Sequence, residues 1–196
     1  MAKGCRWRVL ALCCVLGLAW GCRSNGTVGQ GRVIAVDAAA GSITVIEDSN
    51  TTEPGNPRYD VVPPKVIGIP KDPRMMGPRP VAGKLLRTDL DRRELVIFDV
   101  AAQALKTVPC QVVDQQDGVY KDDQRLSGKH FPLIDRQAKT ITLYSPQRRT
   151  LVTVSVPEEF LAMPADTWTA GDEVRYYYKA AGQVIRLMNV TRTDLG

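Results

Sequence analysis

The chain has 196 residues, of which 44% are apolar, and a formal net charge of +5. The first 21 residues contain Lys3, Arg6 and Arg8 and no acidic residue, so the rest of the chain carries only +2. Among the remaining Lys and Arg residues, no run is longer than a pair such as Arg148-Arg149. This argues against the concentrated basic surface of a nucleic-acid-binding protein. The length fits one domain or two small ones.

The N-terminal segment has the pattern of an export signal. Its three basic residues are followed by an apolar run from Val9 to Leu18 and then by Gly21 and Cys22. The run is too short to cross a bilayer, which requires about 20 apolar residues. A basic start, a short apolar core and a small residue before the cut are typical of a cleaved signal. Residues 1–21 are therefore predicted to be a signal peptide.

The segment Ala19-Trp20-Gly21-Cys22 resembles the lipobox of bacterial lipoproteins. The resemblance implies that Cys22 is thioether-linked to diacylglycerol and that residues 22–30 form a lipid-anchored spacer. An ordinary secretory signal with a chance cysteine near the cut is the alternative. Arg23 and Ser24, and not Asp, follow Cys22. By resemblance to lipoproteins of the Gram-negative type, this implies the outer membrane, with the protein facing the periplasm.

The cysteine count agrees with this interpretation. Cys5, Cys13 and Cys14 would leave with the signal and Cys22 would be acylated, so Cys110 alone would remain. One thiol forms no intramolecular disulfide. The mature fold is therefore expected to be held by its apolar core.

The body is predicted to be all-β, with minimal helix and with a repeated unit of strand, turn, strand, turn, strand. Asp89–Phe98 aligns with Asp135–Tyr144 at an offset of 46 residues, and the same offset carries Leu105–Val108 onto Leu151–Val154. Apolar and polar residues alternate in Ile141-Thr142-Leu143 and in Ile43-Thr44-Val45, as in half-buried strands. An earlier copy begins at Gly31. The Asp residues at the strand ends are interpreted as turn residues that bond their own backbone.

Three units are predicted, forming two or three small barrel-like or sandwich-like subdomains. The first spans 31–80 and ends in a Pro-rich connection, the second spans 81–128, and the third spans 129–196 with a C-terminal hairpin. Residues 54–80 hold eight of the 13 prolines, so this stretch is expected to be an extended connection and not a central strand. The hairpin around Ala181-Gly182 is similar to the closing strands of small OB-like and SH3-like barrels.

Two local expectations concern the last third of the chain. Pro157–Met163 is the best candidate for a short helix, because Pro stands at its start and acidic residues follow. Tyr177 should point away from Tyr176 and Tyr178 on the same strand, and we expect Tyr177 to be the one that packs inward.

The sequence assigns no catalytic, cofactor-binding or metal-ligating residue; Cys22, as the lipid attachment site, is the single site prediction. Two alternatives remain open. One is a periplasmic enzyme that uses carboxylates, with Asp60, Asp114 and Asp117 converging in one cleft. The other is a copper carrier that uses soft thioether and imidazole ligands. The copper candidates are Met75, Met76, Met163, Met188, His130 and Trp168.

As a whole, the chain resembles the uncharacterised families of bacterial lipoproteins, a resemblance that implies no particular activity. The expected role is a non-enzymatic binding or structural module in the cell envelope. Its expected partners are the membrane, reached through the N-terminal lipid, and an envelope protein, with no nucleic acid and no cofactor.

Overall fold

Twelve strands in three antiparallel sheets make up the fold, as seen in a computed structural model that describes residues 26–50, 52–53 and 56–193. Within these residues the one α-helix is a single turn, α1 (Glu158–Leu161), with Pro157 as its N-cap, inside the predicted stretch 157–163. Short 3-10 turns lie at Pro73–Met75, Gln124–Leu126 and Ala165–Trp168. The all-β prediction is confirmed.

Two segments pair with strands outside their predicted units: residues 111–116, in the second unit, belong to the third sheet, and the C-terminal hairpin, in the third unit, belongs to the first sheet. The first sheet has the order β12-β11-β1-β2-β3, the middle sheet β4-β5-β6, and the third sheet β7-β10-β9-β8. The C-terminal hairpin β11–β12 thus joins the first sheet by pairing with β1.

The first sheet contains β1 (Thr27–Asp37), β2 (Ser42–Asp48), β3 (Tyr59–Gly68), β11 (Glu173–Ala180) and β12 (Gln183–Asn189). The middle sheet contains β4 (Leu85–Asp89), β5 (Glu94–Asp99) and β6 (Ala104–Pro109). The third sheet contains β7 (Gln111–Gln116), β8 (Leu133–Asp135), β9 (Thr140–Ser145) and β10 (Thr150–Ser155).

The repeat at an offset of 46 is confirmed in the strand boundaries. β4 and β8 end at Asp89 and Asp135, and the two strands that follow each of them begin and end at matching positions. Between β2 and β3 the loop has ten residues, whereas the equivalent loop between β5 and β6 has four. The longer loop accounts for the larger offset of the first unit.

Each unit begins its first turn in the same way. The carboxylates of Asp37, Asp89 and Asp135 each accept a hydrogen bond from the backbone N–H three residues later, at 2.9 to 3.0 Å. The next residue has a left-handed backbone, with φ of 61° at Gly41, 58° at Arg93 and 54° at Lys139. The interpretation of these Asp residues as turn residues is confirmed.

The middle sheet is buried on both faces. Leu95 and Ile97 on β5 pack in one core with residues of β9 and β10, while Phe98 packs in a second core with Ile34 and Ile46 of the first sheet. The continuous apolar run from Leu95 to Phe98 is the sequence signature of a strand covered on both sides. The three sheets therefore form three layers, with the middle sheet between the other two.

The first sheet curls around a core of its own. Val33, Val45, Tyr176 and Leu187 are among its fully buried members. The sheet edges approach each other where Gly68 N lies 3.4 Å from the Gly182 carbonyl oxygen. No closed barrel forms in the part of the chain that the structure describes.

Three expectations need correction. Residues 59–68 of the proposed Pro-rich connection form β3; as an edge strand, β3 tolerates Pro63 and Pro64, which have no N–H to donate to a neighbour. Residues 27–30 of the predicted spacer already belong to β1. Tyr177 does point away from its neighbours, but Tyr176 is the buried one, at 1% exposure.

Candidate functional site

A cluster of polar side chains lies at one end of the curled interior of the first sheet. Glu47 continues the row of inward-facing side chains of β2. Its Oε1 accepts hydrogen bonds from the Tyr176 hydroxyl and from Lys65 Nζ, the latter at 3.0 Å. Lys65 Nζ also lies 3.5 Å from the Tyr178 hydroxyl and 5.0 Å from the centre of that ring. We call Glu47, Lys65, Tyr176 and Tyr178 the inner cluster.

Two glycines of β1 make room for the inner cluster. Gly29 stands opposite Tyr176 in the strand register, and a Cβ at Gly29 would lie 2.5 Å from the Tyr176 ring. A Cβ at Gly31 would lie 2.5 Å from the Ile46 carbonyl oxygen. Gly29 therefore lets the Tyr176 ring lie across β1 and reach Glu47, and Gly31 lets the backbone of β2 approach that of β1. This use of glycine matches the close approach that it permits inside strands.

Burial controls the ionisation of the inner cluster. Burial raises the pKa of Tyr176 well above its usual range, and the hydrogen bond to the Glu47 carboxylate adds to the shift. For Lys65, burial alone would lower the pKa, but its hydrogen bond and charge interaction with Glu47 outweigh burial and raise the pKa. Glu47 therefore accepts from two groups that keep their protons at neutral pH, the Tyr176 hydroxyl and the Lys65 ammonium group.

A second group, which we call the outer cluster, occupies the opposite face of the same strands. Gln30 Nε2 and the Tyr59 hydroxyl donate to the two carboxylate oxygens of Glu173, at 2.6 and 2.7 Å. The Arg32 guanidinium lies over the Tyr59 ring, 4.5 Å from its centre. Burial raises the pKa of Tyr59; the charge of Arg32 opposes the rise and Glu173 reinforces it. These four residues tie β1, β3 and β11 together.

The carboxylates at this end of the sheet are engaged in holding backbone segments. Asp48, 8% exposed, accepts hydrogen bonds from the N–H groups of Asn50 at 2.9 Å and Arg58 at 2.7 Å, which fixes both ends of the long loop after β2. Asp172, 5% exposed, accepts from Val81 N at 2.9 Å and from Arg192 Nε at 2.7 Å. Buried carboxylates used in this way stabilise the fold, because each replaces lost hydration with several hydrogen bonds.

The inner cluster predicts how stability depends on alkaline pH. The pKa of Tyr176 is higher in the folded protein than in the unfolded chain, so its contribution is complete below about pH 10 and is lost as pH rises further. We expect the free energy of unfolding, measured by urea melts, to fall above about pH 10, and to fall less steeply in Tyr176→Phe. The exposed Tyr120, changed to Phe, is the control and should keep the wild-type slope. An unchanged slope in Tyr176→Phe would contradict this assignment.

The three candidate catalytic carboxylates do not come together. Asp60 lies on β3 in the first sheet, 3.8 Å from Arg58 Nε. Asp114 and Asp117 lie at the third sheet, where Asp114 accepts from Gln116 at 2.7 Å and Asp117 from Thr150 at 2.8 Å. All three are exposed, and their partners are neighbouring polar side chains.

The copper candidates are also dispersed. Met163 and Trp168 pack in the core between the middle and third sheets, and Met76 packs in the core of the first sheet. Met75 and His130 are exposed, and Met188 lies on β12. Among the described residues, no group of three or more His, Cys, Asp or Glu side chains could hold a metal ion.

Cys110 lies beside a shallow cavity between the ends of β6 and β10. The cavity has a volume of about 220 Å³ and is also lined by Pro109, Gln111 and Ser155. The thiol is 3% exposed, and burial raises its pKa, with Glu94 and Asp89 adding to the shift. A buried thiol of raised pKa is a poor nucleophile.

The sequence did not reveal β7, the most exposed strand of the structure. Five of its six residues are exposed, with Val112 at 38% and Val113 at 60%. β7 pairs with β10 on one side only and is an edge of the third sheet. Of the other edge strands, β8 has only three residues and β3 contains two prolines. The pairing of β7 with β10 shifts register at Val113, the extra residue between Val112 and Asp114. An edge strand with an unpaired side is a place where another extended segment can pair.

Cys22 and the predicted signal peptide lie outside the described residues. In the part of the chain that the structure covers, no helix has the length and apolar character needed to cross a membrane.

Comparison with known proteins places the chain in a family. A family model described as "Domain of unknown function (DUF4881)" matches residues 24–196. The chain belongs to this family. No curated protein and no solved structure matches the sequence.

Proposed function

We propose that this DUF4881 protein is a lipid-anchored component of the bacterial cell envelope, and that its β body is a non-enzymatic binding or structural module. Cys22 carries the lipid in this proposal, and the body faces the periplasm from the outer membrane. The sequence before the body carries the proposal: a basic start, a short apolar run and Gly21-Cys22. The family match begins at residue 24 and β1 at Thr27, directly after this segment.

The contacts of the buried polar groups support a structural role for the body. Asp48 and Asp172 bind backbone N–H groups, and Glu47 and Glu173 join side chains from different strands. Each of these carboxylates accepts at least two hydrogen bonds from groups of the same chain. These hydrogen bonds hold together the strands that present the surface of the protein.

Substitution of the lipid-bearing cysteine tests the anchor. We expect Cys22→Ser either to remain uncleaved or to be released from membranes, because the thioether linkage needs the Cys22 sulfur. Buried acyl chains contribute about 0.8 kcal/mol per methylene, so several chains hold a protein at the bilayer firmly. Membrane fractionation and the mass of the N-terminal peptide are the measurements. Cys14→Ser is the control and should be processed normally; a cleaved Cys22→Ser protein that stays with membranes would refute the anchor.

The free edge of β7 is the binding surface that we assign to the module. Its exposed Val112 and Val113 and its unpaired side suit an extended segment of an envelope protein, which would add a strand next to β7. Backbone hydrogen bonds would supply affinity in such a pairing, and the two valines would supply apolar contact.

Site-specific cross-linking in intact cells tests this surface. A photo-reactive residue at Val113 should give a discrete cross-linked product, because the side chain is 60% exposed on the free edge. The same residue at Val100, 51% exposed in the turn after β5, is the control and should give none. The Val113 product should disappear when Val112 is changed to Pro, which interrupts the edge. Equal cross-linking from both positions would count against β7 as the binding edge.

A further inference from the structure

The chain enters the body at one corner of the first sheet, and a tyrosine holds it there. Gly26 N donates a hydrogen bond to the Tyr177 hydroxyl at 3.2 Å. The Tyr177 ring lies so close that a Cβ on Gly26 would be 2.3 Å from it. Three residues, 23–25, separate Gly26 from Cys22. Even a fully extended chain keeps Cys22 within about 14 Å of Gly26.

The surface around this corner combines apolar, aromatic and cationic side chains. Val28, Tyr177 and Arg186 stand opposite one another on three adjacent strands, so they share the outer face of the sheet. Val28 is 62% exposed, and Ile185, next to Arg186, is 43% exposed. Lys179 is also exposed, and neither Lys179 nor Arg186 forms an ion pair with any residue that the structure describes. We call these five residues the anchor-side surface.

We infer that the anchor-side surface lies against the headgroups of an anionic phospholipid bilayer, an inference that rests on the proposed lipid anchor. The short tether leaves this surface within reach of the bilayer. Tyrosine favours the interface between headgroups and hydrocarbon, because its ring is apolar and its hydroxyl is polar. Lys179 and Arg186 add attraction to anionic headgroups, at about fivefold in affinity for each cation near the surface.

This contact would give the body one orientation on the membrane. The bilayer would meet the end of the first sheet at which the chain enters, near Gly26 and Tyr177. The other end of the same face packs on the middle sheet through Ile34, so the middle and third sheets would lie farther along the body from the tether.

Fluorescence quenching on vesicles tests the orientation. The mature, lipid-linked protein, residues 22–196, is placed on vesicles of phosphatidylethanolamine and phosphatidylglycerol that carry a nitroxide at the headgroup. We expect the nitroxide to quench most of the fluorescence that the Tyr177→Trp substitution adds to the protein. Tyr120→Trp, at a 52% exposed tyrosine next to the third sheet, is the matched control and should lose almost none. Trp168, which is buried, gives the same background in both proteins.

The outcomes separate the inference from the proposal beneath it. Equal quenching of the two variants in a lipid-linked protein overturns the orientation and leaves the anchor standing. A mass showing no diacylglycerol on Cys22 overturns the anchor and, with it, the orientation. Added to Tyr177→Trp, the pair Lys179→Gln and Arg186→Gln should reduce quenching on the anionic vesicles. Lys121→Gln and Arg136→Gln, which change two exposed cations elsewhere, should leave the quenching unchanged. Equal effects of the two pairs would show that Lys179 and Arg186 make no specific contribution to binding.

Discussion

Gly171→Ala is expected to abolish the native fold or to lower the free energy of unfolding by about 4 kcal/mol or more. A Cβ at Gly171 would lie 1.8 Å from the Val33 carbonyl oxygen and 2.9 Å from Gly83 N. Both are backbone atoms, so no side-chain rotation can relieve the contact. Three segments cross here, since Val33 N donates to the Asp172 carbonyl at 2.9 Å and Gly83 N to the Val33 carbonyl at 3.1 Å. Pushing them apart breaks bonds that join the first sheet to the connection before β4.

The control for this variant is a glycine constrained by conformation alone. Gly118 has a φ of 69°, and no atom lies within 4 Å of the position that its Cβ would take. Gly118→Ala should therefore lower the free energy of unfolding by only about 1 to 2 kcal/mol, which is the cost of holding alanine in the left-handed conformation. Urea melts of the two variants distinguish steric exclusion from backbone strain. Similar small losses for both would mean that the three segments do not approach as closely as the structure shows.

The strands and turns of the repeat were predictable because their signals are local. An Asp at the end of a strand and an apolar alternation after it need no knowledge of distant residues, and Asp89 and Asp135 behave alike for this reason. The apolar run from Leu95 to Phe98 is also a local signal, and it is typical of a strand buried on both faces. It did not indicate which sheet covers each face, because that depends on where the other units pack.

The inner cluster depends on contacts that are remote in the chain, so the sequence did not reveal it. Alternation shows that Tyr177 and Tyr176 point in opposite directions, but it does not show which of them faces the core. Tyr176 faces inward because Gly29 leaves space for its ring and because Glu47, 129 residues away in sequence, accepts its hydroxyl. β7 was missed for a different reason: Val112 and Val113 are adjacent, so its sequence lacks the alternation of a half-buried strand.

Leu95→Ala and Ile141→Ala, at matching positions of the repeat, should each lower the free energy of unfolding by about 2 to 5 kcal/mol. Both side chains are fully buried, at 0% exposure, in the core between the middle and third sheets. Truncation removes apolar contacts and leaves a cavity that the surrounding β-sheets cannot fill without moving. Because the two residues belong to the same core, each variant should unfold in one cooperative transition in a urea melt. The midpoint of that transition should move to a lower urea concentration.

The matched controls are the residues two positions earlier, Arg93 and Lys139. Both are exposed and both have a left-handed backbone. Changing either to Ala keeps an L-residue at the same φ, so the strain is unaltered. The ion pair of Lys139 with Glu158, at 2.8 Å, joins two exposed side chains and contributes little. Arg93→Ala and Lys139→Ala should therefore change stability by no more than about 0.5 kcal/mol. Losses of equal size at all four positions would contradict the repeat, because its common feature is that Leu95 and Ile141 face one shared core while the turn residues face solvent.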